Sequence, residues 1–458
     1  MLSRRELFSA SAFSLASIAL QSLEARQAGK THHEAKAKRV VFLFMNGGPS
    51  HVDTFDPKPV LDKFDGTAYT GSTPVGSNGR PVGRLMRSPF PFAKHGKSGL
   101  PISSLFPQVA KHADDLCVFR GMYTDTAAHA SGCIQMNTGA VVLGKPALGA
   151  WVDYGLGHLA DDLPSFVVMT DPRGGPISGA SNWSAGFMPA RHQGTIFRGT
   201  GSPLLDLATP AGVSDQTQRE GLDLLAKLNK KHLASRSGEG ELAARLQSYE
   251  LAYKMQTSAK EAVSLAKESA RTKEMYGLSN KRTADFGRKC LIARRLLERG
   301  VRFVQLYSGG GHLEDTWDGH GDCVANHTLH AGETDRPIGA LLADLKRTGL
   351  WKDTLVIWGG EFGRTPTSEG LGKRGRDHNP FGFSMWLAGA GVKGGQALGA
   401  TDELGFRAEK GRTHVSDFHA TILHLLGLNH EKLTYAHQGG DQRLTGVEPA
   451  RVVQAVLA

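Results

Sequence analysis

The sequence lacks the patterns that would assign it to several common classes of protein. Its cysteines, Cys117, Cys133, Cys290 and Cys323, show no paired short spacing, which argues against a disulfide framework and predicts buried free thiols. The uncharged stretch from Ser9 to Leu20 is shorter than the about 20 apolar residues that a membrane-spanning helix needs. With 458 residues, of which 40% are hydrophobic and 21% charged, the chain is long enough for one large α/β body with an insertion.

Positive charge is in excess but is not concentrated. The chain has 54 Lys and Arg against 44 Asp and Glu, a formal net charge of +10. These side chains are dispersed, and neither a basic helix nor an alternation of aromatic and basic residues is present. The sequence therefore predicts no nucleic-acid partner, and it is compatible with an anionic small substrate or an anionic polymer.

The N-terminus resembles an export signal. Ser3-Arg4-Arg5-Glu6-Leu7-Phe8 is a twin-arginine pattern and is followed by the uncharged stretch. We predict a twin-arginine leader over residues 1–28, a charged linker over 29–38 and the main domain over 39–458. The protein would then be periplasmic or extracellular, with no transmembrane anchor beyond the leader. The alternative is a basic start to an N-terminal helix.

Short apolar runs followed by glycine-rich turns recur along the chain. They are Arg39–Met45, Leu116–Phe119, Ser165–Met169, Val301–Tyr307, Asp353–Trp358 and Phe383–Ala388. Such runs are typical of buried strands in a mostly parallel sheet with helices on both faces. Amphipathic helices are predicted at Thr334–Thr348 and at Ser416–Leu426, the latter with Ser416 as its N-cap. The fold class predicted is therefore α/β.

A segment of about residues 214–276 differs from the rest. It is rich in Lys, Glu, Ala and Leu and poor in glycine, and Leu222, Leu225 and Leu228 recur at helical spacing. We predict a helical insertion here, formed by two long helices that pack on the sheet domain.

Polar side chains follow four of the predicted strands. Because ligands of open α/β sheets bind at the carboxyl ends of the strands, these loops are the candidate site. The candidates, in chain order, are Asn46, His51 and Asp53; His129 and Ser131; Asp318 and His320; and Glu361 and Arg364. His378 precedes a predicted strand, so we expect its segment to reach over from the opposite end of its connection.

Asp318 and His320 are two residues apart in a loop rich in glycine and acids, Gly309–Asp322. If this piece is extended, both side chains point the same way and can share one cation. A carboxylate and an imidazole suit Zn²⁺, Mn²⁺ or Fe²⁺. The alternative is a hydrogen-bonded turn without a metal.

Several motifs together resemble a known family. They are Arg4-Arg5, Asn46-Gly-Gly-Pro-Ser-His-Val-Asp-Thr-Phe-Asp-Pro-Lys-Pro59, Met136-Asn-Thr-Gly139, Trp317-Asp-Gly-His320, Gly360-Glu-Phe-Gly-Arg-Thr-Pro366, Asp377-His378-Asn379 and His414–Leu428. In this order they resemble the secreted bacterial sulfatase-like family called domain of unknown function 1501, within the alkaline phosphatase and sulfatase superfamily. The resemblance spans roughly Arg39 to Thr445 and implies an alkaline phosphatase-like fold.

The resemblance also implies roles for individual residues. Asp318, His320 and His378 match one set of metal ligands. Asn46 and Glu361 match a second set, in which Phe362 stands where a further ligand is usual and cannot coordinate. His129 matches the position of the nucleophile, with Ser131 two residues later as an alternative that His129 would activate. Cys133 lacks the surrounding residues that conversion to formylglycine requires.

The remaining candidates have alternative roles. Glu361 either lies at the site or pairs with Arg364. Arg364 either clamps an anion or is structural. His51 and Asp53 either line the site as substrate-binding residues or brace the first turn, and His129 either reacts or makes a hydrogen bond at a helix start.

The resemblance implies a metal-dependent hydrolase of sulfate or phosphate esters. We expect one divalent ion, with Zn, Mn, Ca and Mg not distinguished by the residues, and an anionic ester substrate such as a sulfated polysaccharide or its fragments. The alternative is a non-catalytic binding or assembly protein that retains the sulfatase-like fold, which the loss of the second metal position favours.

Overall fold

The structure is a computed structural model that describes residues 31–70, 83–199, 203–204, 209, 212–235, 240–370, 372 and 374–458. The predicted leader over residues 1–28 lies outside the described residues. The part of the linker that is described lies against the domain. Here the backbone amides of Lys36 and Ala37 donate hydrogen bonds to the carbonyl of Leu425.

The described strands form one central sheet and four two-stranded sheets. Their bounds are β1 Arg39–Met45, β2 Phe92–His95, β3 Leu100–Ser103, β4 Leu116–Tyr123, β5 Phe166–Met169, β6 Thr195–Ile196, β7 Phe303–Ser308, β8 Thr354–Gly359, β9 Gly363–Ser368, β10 Arg376–Asn379, β11 Phe383–Gly389, β12 Gln396–Leu398, β13 Ala400–Thr401, β14 Ala408–Lys410, β15 Thr413–His414, β16 Tyr435–His437 and β17 Gly440–Gln442. The central sheet has the order β12-β4-β11-β8-β1-β7-β5-β6, with β15 also paired to β4. Each of the six predicted strands is present, with ends that shift by a few residues.

The described α-helices connect these strands. Their bounds are α1 His51–Thr54, α2 Val60–Phe64, α3 His129–Thr138, α4 Leu148–Leu156, α5 Asp215–Ser235, α6 Gly240–Val263, α7 Ala270–Met275, α8 Ala284–Glu298, α9 Cys323–Arg347 and α10 Val415–Leu425. In the described part of the chain, no helix combines the length and the apolar character needed to cross a membrane.

The central strand β1 shows why the sheet is covered on both faces. Val41, Leu43 and Met45 belong to one hydrophobic cluster, which includes residues of α6, α8 and α9. Alternate residues of the same strand belong to a second cluster, with residues of α3, α4 and α10. Because side chains alternate along a strand, an all-apolar run must be buried on both sides. The predicted α/β class, with a mostly parallel sheet and helices on both faces, is confirmed.

The direction of β11 corrects one prediction. β11 pairs antiparallel with both β8 and β4, whereas β1, β5, β7 and β8 run parallel to one another. The start of β11 therefore lies at the carboxyl edge of the parallel strands. His378 arrives at that edge directly, and the prediction that its segment reaches over from the opposite end was wrong.

Two helix boundaries also differ from the prediction. α9 begins at Cys323, eleven residues before Thr334, because the Asp322 side chain caps it by accepting hydrogen bonds from two backbone amides. α10 is capped by His414 and not by Ser416: its ring nitrogen faces the Ser416 amide, and Asp417 reaches back to the His414 amide. The two contacts form a capping box. Histidine is an unusual N-cap residue, because Ser, Thr, Asp and Asn are the preferred ones.

The segment predicted as an insertion contains two long helices, α5 and α6. The helical spacing of its leucines does not mark the buried face of α5, because Leu225 and Leu228 are exposed, at 37% and 56%. The α6 residues Met255, Ala259 and Ala262 are instead the ones buried against the sheet domain. Whether this segment is an insertion into a common fold stays a prediction.

Candidate metal centre

The candidate site is built by loops that leave the carboxyl ends of β1, β4, β7 and β8. Close backbone approach holds two of them together, since the Trp317 amide donates to the Asn46 carbonyl at 2.8 Å. Gly47 adopts φ 108°, and a Cβ there would lie 2.6 Å from the Asp318 nitrogen. Only glycine fits a position with both a positive φ and this contact.

Four side chains from three segments converge on one point. The Nε2 atoms of His320, His129 and His378 lie 2.9, 3.2 and 3.3 Å from Asp318 Oδ1. One ligand atom from each of these four residues lies within 4.8 Å of all the others. We call these residues the His–Asp cluster. The structure thus brings together Asp318, His320 and His378, and it adds His129.

The other nitrogen of two of the imidazoles, those of His129 and His378, is held by an oxygen. His129 Nδ1 lies 2.7 Å from Glu361 Oε1, and His378 Nδ1 lies 2.7 Å from the Ala127 carbonyl oxygen. His320 Nδ1 differs, because it lies 3.3 Å from Glu369 Oε1 without the geometry of a hydrogen bond. An oxygen acceptor at Nδ1 fixes the proton there and leaves the Nε2 lone pair facing the centre. Metal-ligating histidines show this arrangement in proteins.

Arg364 supplies the positive charge nearest to Asp318. Its Nη2 lies 2.5 Å from Asp318 Oδ1, its Nε donates to the Gly48 carbonyl at 2.9 Å, and Nη2 also donates to the Gly47 carbonyl. The side chain is fully buried. This geometry corresponds to the structural alternative, because these contacts occupy the guanidinium that an anion would need.

Glu361 is fully buried and pairs with His129 and not with Arg364. Its two oxygens also lie 2.9 and 3.2 Å from the Gly47 amide, which donates to them. A buried carboxylate needs such donors. Glu361 therefore orients His129, and its carboxylate lies on the side of the ring away from Asp318.

The electrostatics keep Asp318 ionised. Burial would raise its pKa, but Arg364 and the three histidines hold it well below the usual range. For His378, burial and the nearby Arg364 lower the pKa to about 4, so the ring is neutral at pH 7. For His129, burial disfavours the charged form, and the carboxylates of Asp318 and Glu361 outweigh this effect and raise the pKa.

Asn46 and Cys133 lie beside Glu361. The Asn46 amide nitrogen donates to the Gly309 carbonyl at 3.3 Å, and its oxygen lies 3.6 Å from Cys133 Sγ. Burial and the nearby Glu361 raise the pKa of the Cys133 thiol well above its usual value. The thiol is therefore protonated and unreactive at neutral pH.

His51 and Asp53 brace the first turn. Asp53 is fully buried and makes two contacts with Arg376, at 2.7 and 3.1 Å, while it accepts from the Ser50 hydroxyl at 2.6 Å. His51 Nε2 faces the Gly405 carbonyl at 2.8 Å. These contacts favour the bracing alternative for both residues.

The chain was compared with known families and structures. The family model "Protein of unknown function (DUF1501)" matches residues 37–457, which is nearly the whole described chain. The chain belongs to the DUF1501 family. A search of curated proteins finds no match to it.

Solved structures that resemble the DUF1501 chain are distant. The alkaline phosphatase from the Antarctic bacterium TAB5 is 13% identical to this chain, with a TM-score of 0.36. The match covers 86% of this chain and 99% of the phosphatase chain. The lipoteichoic acid synthase LtaP from Listeria monocytogenes is 10% identical, with 93% and 80% covered and a TM-score of 0.37. A sulfatase from Pseudoalteromonas sp. is 13% identical, with 91% and 71% covered and a TM-score of 0.36.

The residues of the DUF1501 chain fit a divalent cation. His129 Nε2 is buried and has no hydrogen-bond partner of good geometry, although it faces Asp318. Three imidazole nitrogens and one carboxylate oxygen are a donor set that suits Zn²⁺ or another borderline metal. The imidazoles of His129, His320 and His378 are 12%, 20% and 11% exposed, so one side of the cluster is open to solvent.

Phe362 is buried and packs against two of the cluster histidines. Its ring centroid lies 4.9 Å from that of His129 and 4.7 Å from that of His378. The apolar ring offers no donor atom to the cluster. Sequence reasoning missed His129 as a member of the donor set, and it missed Glu369 altogether.

Proposed function

We propose that this DUF1501 protein is a metal-dependent hydrolase of sulfate or phosphate esters. One observation carries the proposal: three histidine Nε2 atoms face Asp318 Oδ1, while oxygen atoms hold Nδ1 of His129 and of His378. In this proposal His129, His320, His378 and Asp318 bind one divalent cation. When bound, such a cation supplies Lewis acidity that polarises the oxygens of an ester group.

The ester anion would lie at the start of α3. The amides in the first turn of a helix have no partner within the helix and attract anions. α3 begins at His129, and its N-cap Ala128 offers no side chain that could accept from these amides. Ser131 lies in the same first turn and is half-buried. We propose that the amides bind the ester oxygens. The Ser131 hydroxyl either contacts these oxygens or attacks the sulfur or phosphorus atom, in which case its proton passes to the departing alcohol as the ester bond breaks.

Two residues would position the donors without touching the substrate. Glu361 holds the Nδ1 proton of His129 and so keeps the Nε2 lone pair directed at the centre. Arg364 keeps Asp318 ionised and fixed, because its guanidinium is held by backbone carbonyls on its other side. We further propose export through the twin-arginine leader, with an anionic substrate outside the cytoplasm such as a sulfated polysaccharide fragment.

Metal content measured on the protein purified from its own host tests the proposal. The wild type is expected to hold about one mole of transition metal per mole of chain, and Asp318→Ala and His320→Ala are expected to lose it. His312→Ala is the matched control, since His312 is an exposed histidine of the same loop outside the cluster. Assays with aryl sulfate and aryl phosphate esters then separate the two ester classes.

The second candidate is a binding or assembly protein without catalytic activity. Phe362, which packs on two of the cluster histidines, favours it, because an apolar ring there limits the room beside the cluster. Equal, near-zero metal content in the wild type and in Asp318→Ala would support this candidate. Metal that is bound without turnover of either ester class would also support it.

A further inference from the structure

A pocket of about 330 Å³ lies where strand β4 ends. It is lined by Tyr123, Arg412, Asp417, Pro449, Ala450 and Arg451. Two of these side chains are positively charged and one is negatively charged, so positive charge is in excess. We call this region the arginine pocket.

The arginine pocket and the His–Asp cluster lie at the same edge of the sheet. Tyr123 is the last residue of β4, and the segment that follows it leads to His129 at the start of α3. In this segment the carbonyl oxygen of Ala127 lies 2.7 Å from His378 Nδ1. Ala127 is four positions after Tyr123, so their Cα atoms are at most about 14 Å apart. One oligomeric ligand can therefore reach both regions.

The guanidinium of Arg412 has its hydrogen-bond donors free. The side chain is exposed, and its guanidinium carbon lies 4.3 Å from the centre of the Tyr123 ring. Within the described part of the chain, this cation–π contact is the interaction that the guanidinium makes, and it forms neither a hydrogen bond nor an ion pair. A planar guanidinium held over a ring can still donate two parallel bonds from its edge to a sulfate, phosphate or carboxylate group.

Arg451 supplies a second guanidinium, and the nearby carboxylates are engaged elsewhere. Arg451 Nη2 donates to the Arg412 carbonyl at 2.7 Å, and the side chain is 68% exposed. The oxygens of Asp417 accept from the backbone amides of Arg451 and His414, at 2.9 and 3.1 Å. Asp417 Oδ2 lies 3.8 Å from Arg451 Nε, which is too long for a hydrogen bond. Asp125 pairs with His414, whose Nε2 lies 3.1 Å away.

The arginine of the metal centre is not available to bind a second anion. The guanidinium of Arg364 is fully buried and is bonded to Asp318 and to the carbonyls of Gly47 and Gly48. A ligand with more than one negative charge therefore finds free guanidinium donors in the arginine pocket and not at Arg364.

We propose that the arginine pocket binds a second anionic group of an oligomeric ester substrate. This group is a sulfate, phosphate or carboxylate on a different unit from the one whose ester lies at the His–Asp cluster. The inference rests on the proposed function and adds the substrate class, which is a polyanionic oligomer and not an ester with a single charge. Arg412 and Arg451 hold the substrate and take no part in the reaction.

Isothermal titration calorimetry of the full chain with a heparin tetrasaccharide tests the proposal without requiring turnover. Arg412→Ala is expected to weaken the Kd about tenfold, the effect of losing one hydrogen bond to a charged group. Arg219→Ala is the matched control. Arg219 also lies over a tyrosine, 5.0 Å from the Tyr253 ring, but its guanidinium is bonded to Asp223 and Glu250. Both variants lose one positive charge, so net charge does not explain a difference between them.

Inhibition of aryl ester turnover by the same tetrasaccharide tests whether the arginine pocket and the metal centre share one ligand. The inhibition constant is expected to rise about tenfold in Arg412→Ala and to stay unchanged in Arg219→Ala. Three results would each overturn the inference: equal Kd values for wild type and Arg412→Ala, an equal loss of binding in Arg219→Ala, or binding that depends on Arg412 without inhibition. Failure of the proposed function is read separately, as the absence of metal and of turnover in the wild type, and it leaves the titration valid.

Discussion

Glu361 Oε1 lies 2.7 Å from Nδ1 of His129, although the two residues are 232 positions apart in the chain. Glu361 follows β8 and His129 begins α3 after β4, and both strands end at the same edge of the sheet. The contact directs the opposite nitrogen of the ring toward Asp318. The first prediction follows from this relationship.

Glu361→Gln is expected to weaken metal binding by about 10–100-fold, the usual effect of losing a carboxylate behind a ligating histidine. The amide carries no negative charge, so its single oxygen accepts from His129 Nδ1 and from the Gly47 amide more weakly than the carboxylate does. Competition with a chelator of known affinity measures the change. Glu268→Gln, which alters a carboxylate that bonds Arg294 and Arg295 elsewhere, should leave the metal affinity unchanged, and an equal effect from both variants would count against the positioning role.

Arg364→Ala is expected to destabilise the fold strongly. It leaves the ionised carboxylate of Asp318 buried with less compensation, and breaking a buried pair costs about 3–5 kcal/mol. The pKa of Asp318 should rise as well, because Arg364 is a main cause of its low value. The midpoint of denaturant unfolding measures the loss in the metal-free protein.

Arg374→Ala serves as the comparison for that loss. Its side chain is 67% exposed and lies 3.8 Å from Asp322, so the expected change is within about 0.5 kcal/mol. If both arginine variants unfold at the same denaturant concentration, Arg364 has no special role in the cluster.

Acid should destabilise the protein through histidines that are buried and neutral. Burial lowers the pKa of His327 to about 3 and that of His419 to about 4. A histidine whose folded pKa is depressed contributes full stability above about pH 6.5, its unfolded value, and this contribution is lost as the pH falls toward the folded pKa. The denaturant concentration at the unfolding midpoint is therefore expected to decrease as the pH is lowered from about 6.5 to about 4.

His419→Gln tests the origin of that loss. His419 Nε2 donates to the Met136 carbonyl at 2.8 Å, a bond that glutamine can also make without titrating. The variant should show a shallower decline of stability with acid, whereas His437→Gln, at the half-buried His437 of β16, should follow the wild type. An unchanged slope in His419→Gln would remove this histidine from the explanation.

The cysteines are expected to be unreactive in the folded protein. Cys117, Cys133, Cys290 and Cys323 are free and buried, as the sequence predicts. Burial raises the pKa of Cys117 to about 12, so little thiolate forms at pH 8. A chromogenic thiol reagent should label the native chain slowly and the denatured chain fully, and the unfolding temperature should not change with reductant. Rapid labelling of the native protein would contradict the burial.

The sheet could be predicted because its strands carry a direct signal. Arg39–Met45 is apolar at nearly every position, and only a strand covered on both faces buries such a run. The proximity of Asp318 and His320 followed from another signal, because the two residues are two positions apart in one loop.

The parts that sequence reasoning missed depend on direction and on long-range contacts. The order of apolar runs does not reveal that β11 is antiparallel, so the direct arrival of His378 was not expected. The position of His129 indicated reactivity, whereas its direction is set by Glu361 and by the start of α3. The exposed Leu225 and Leu228 show that helical spacing alone does not identify the buried face.

A crystal structure of the zinc-soaked or manganese-soaked protein, with anomalous scattering recorded at the metal edge, tests the central claim most directly. The account predicts one anomalous peak about 2.0–2.2 Å from Nε2 of His129, His320 and His378 and from Asp318 Oδ1. Two results would contradict it: no anomalous peak at a cluster whose four side chains keep their positions, or a metal ion that is bound by other residues.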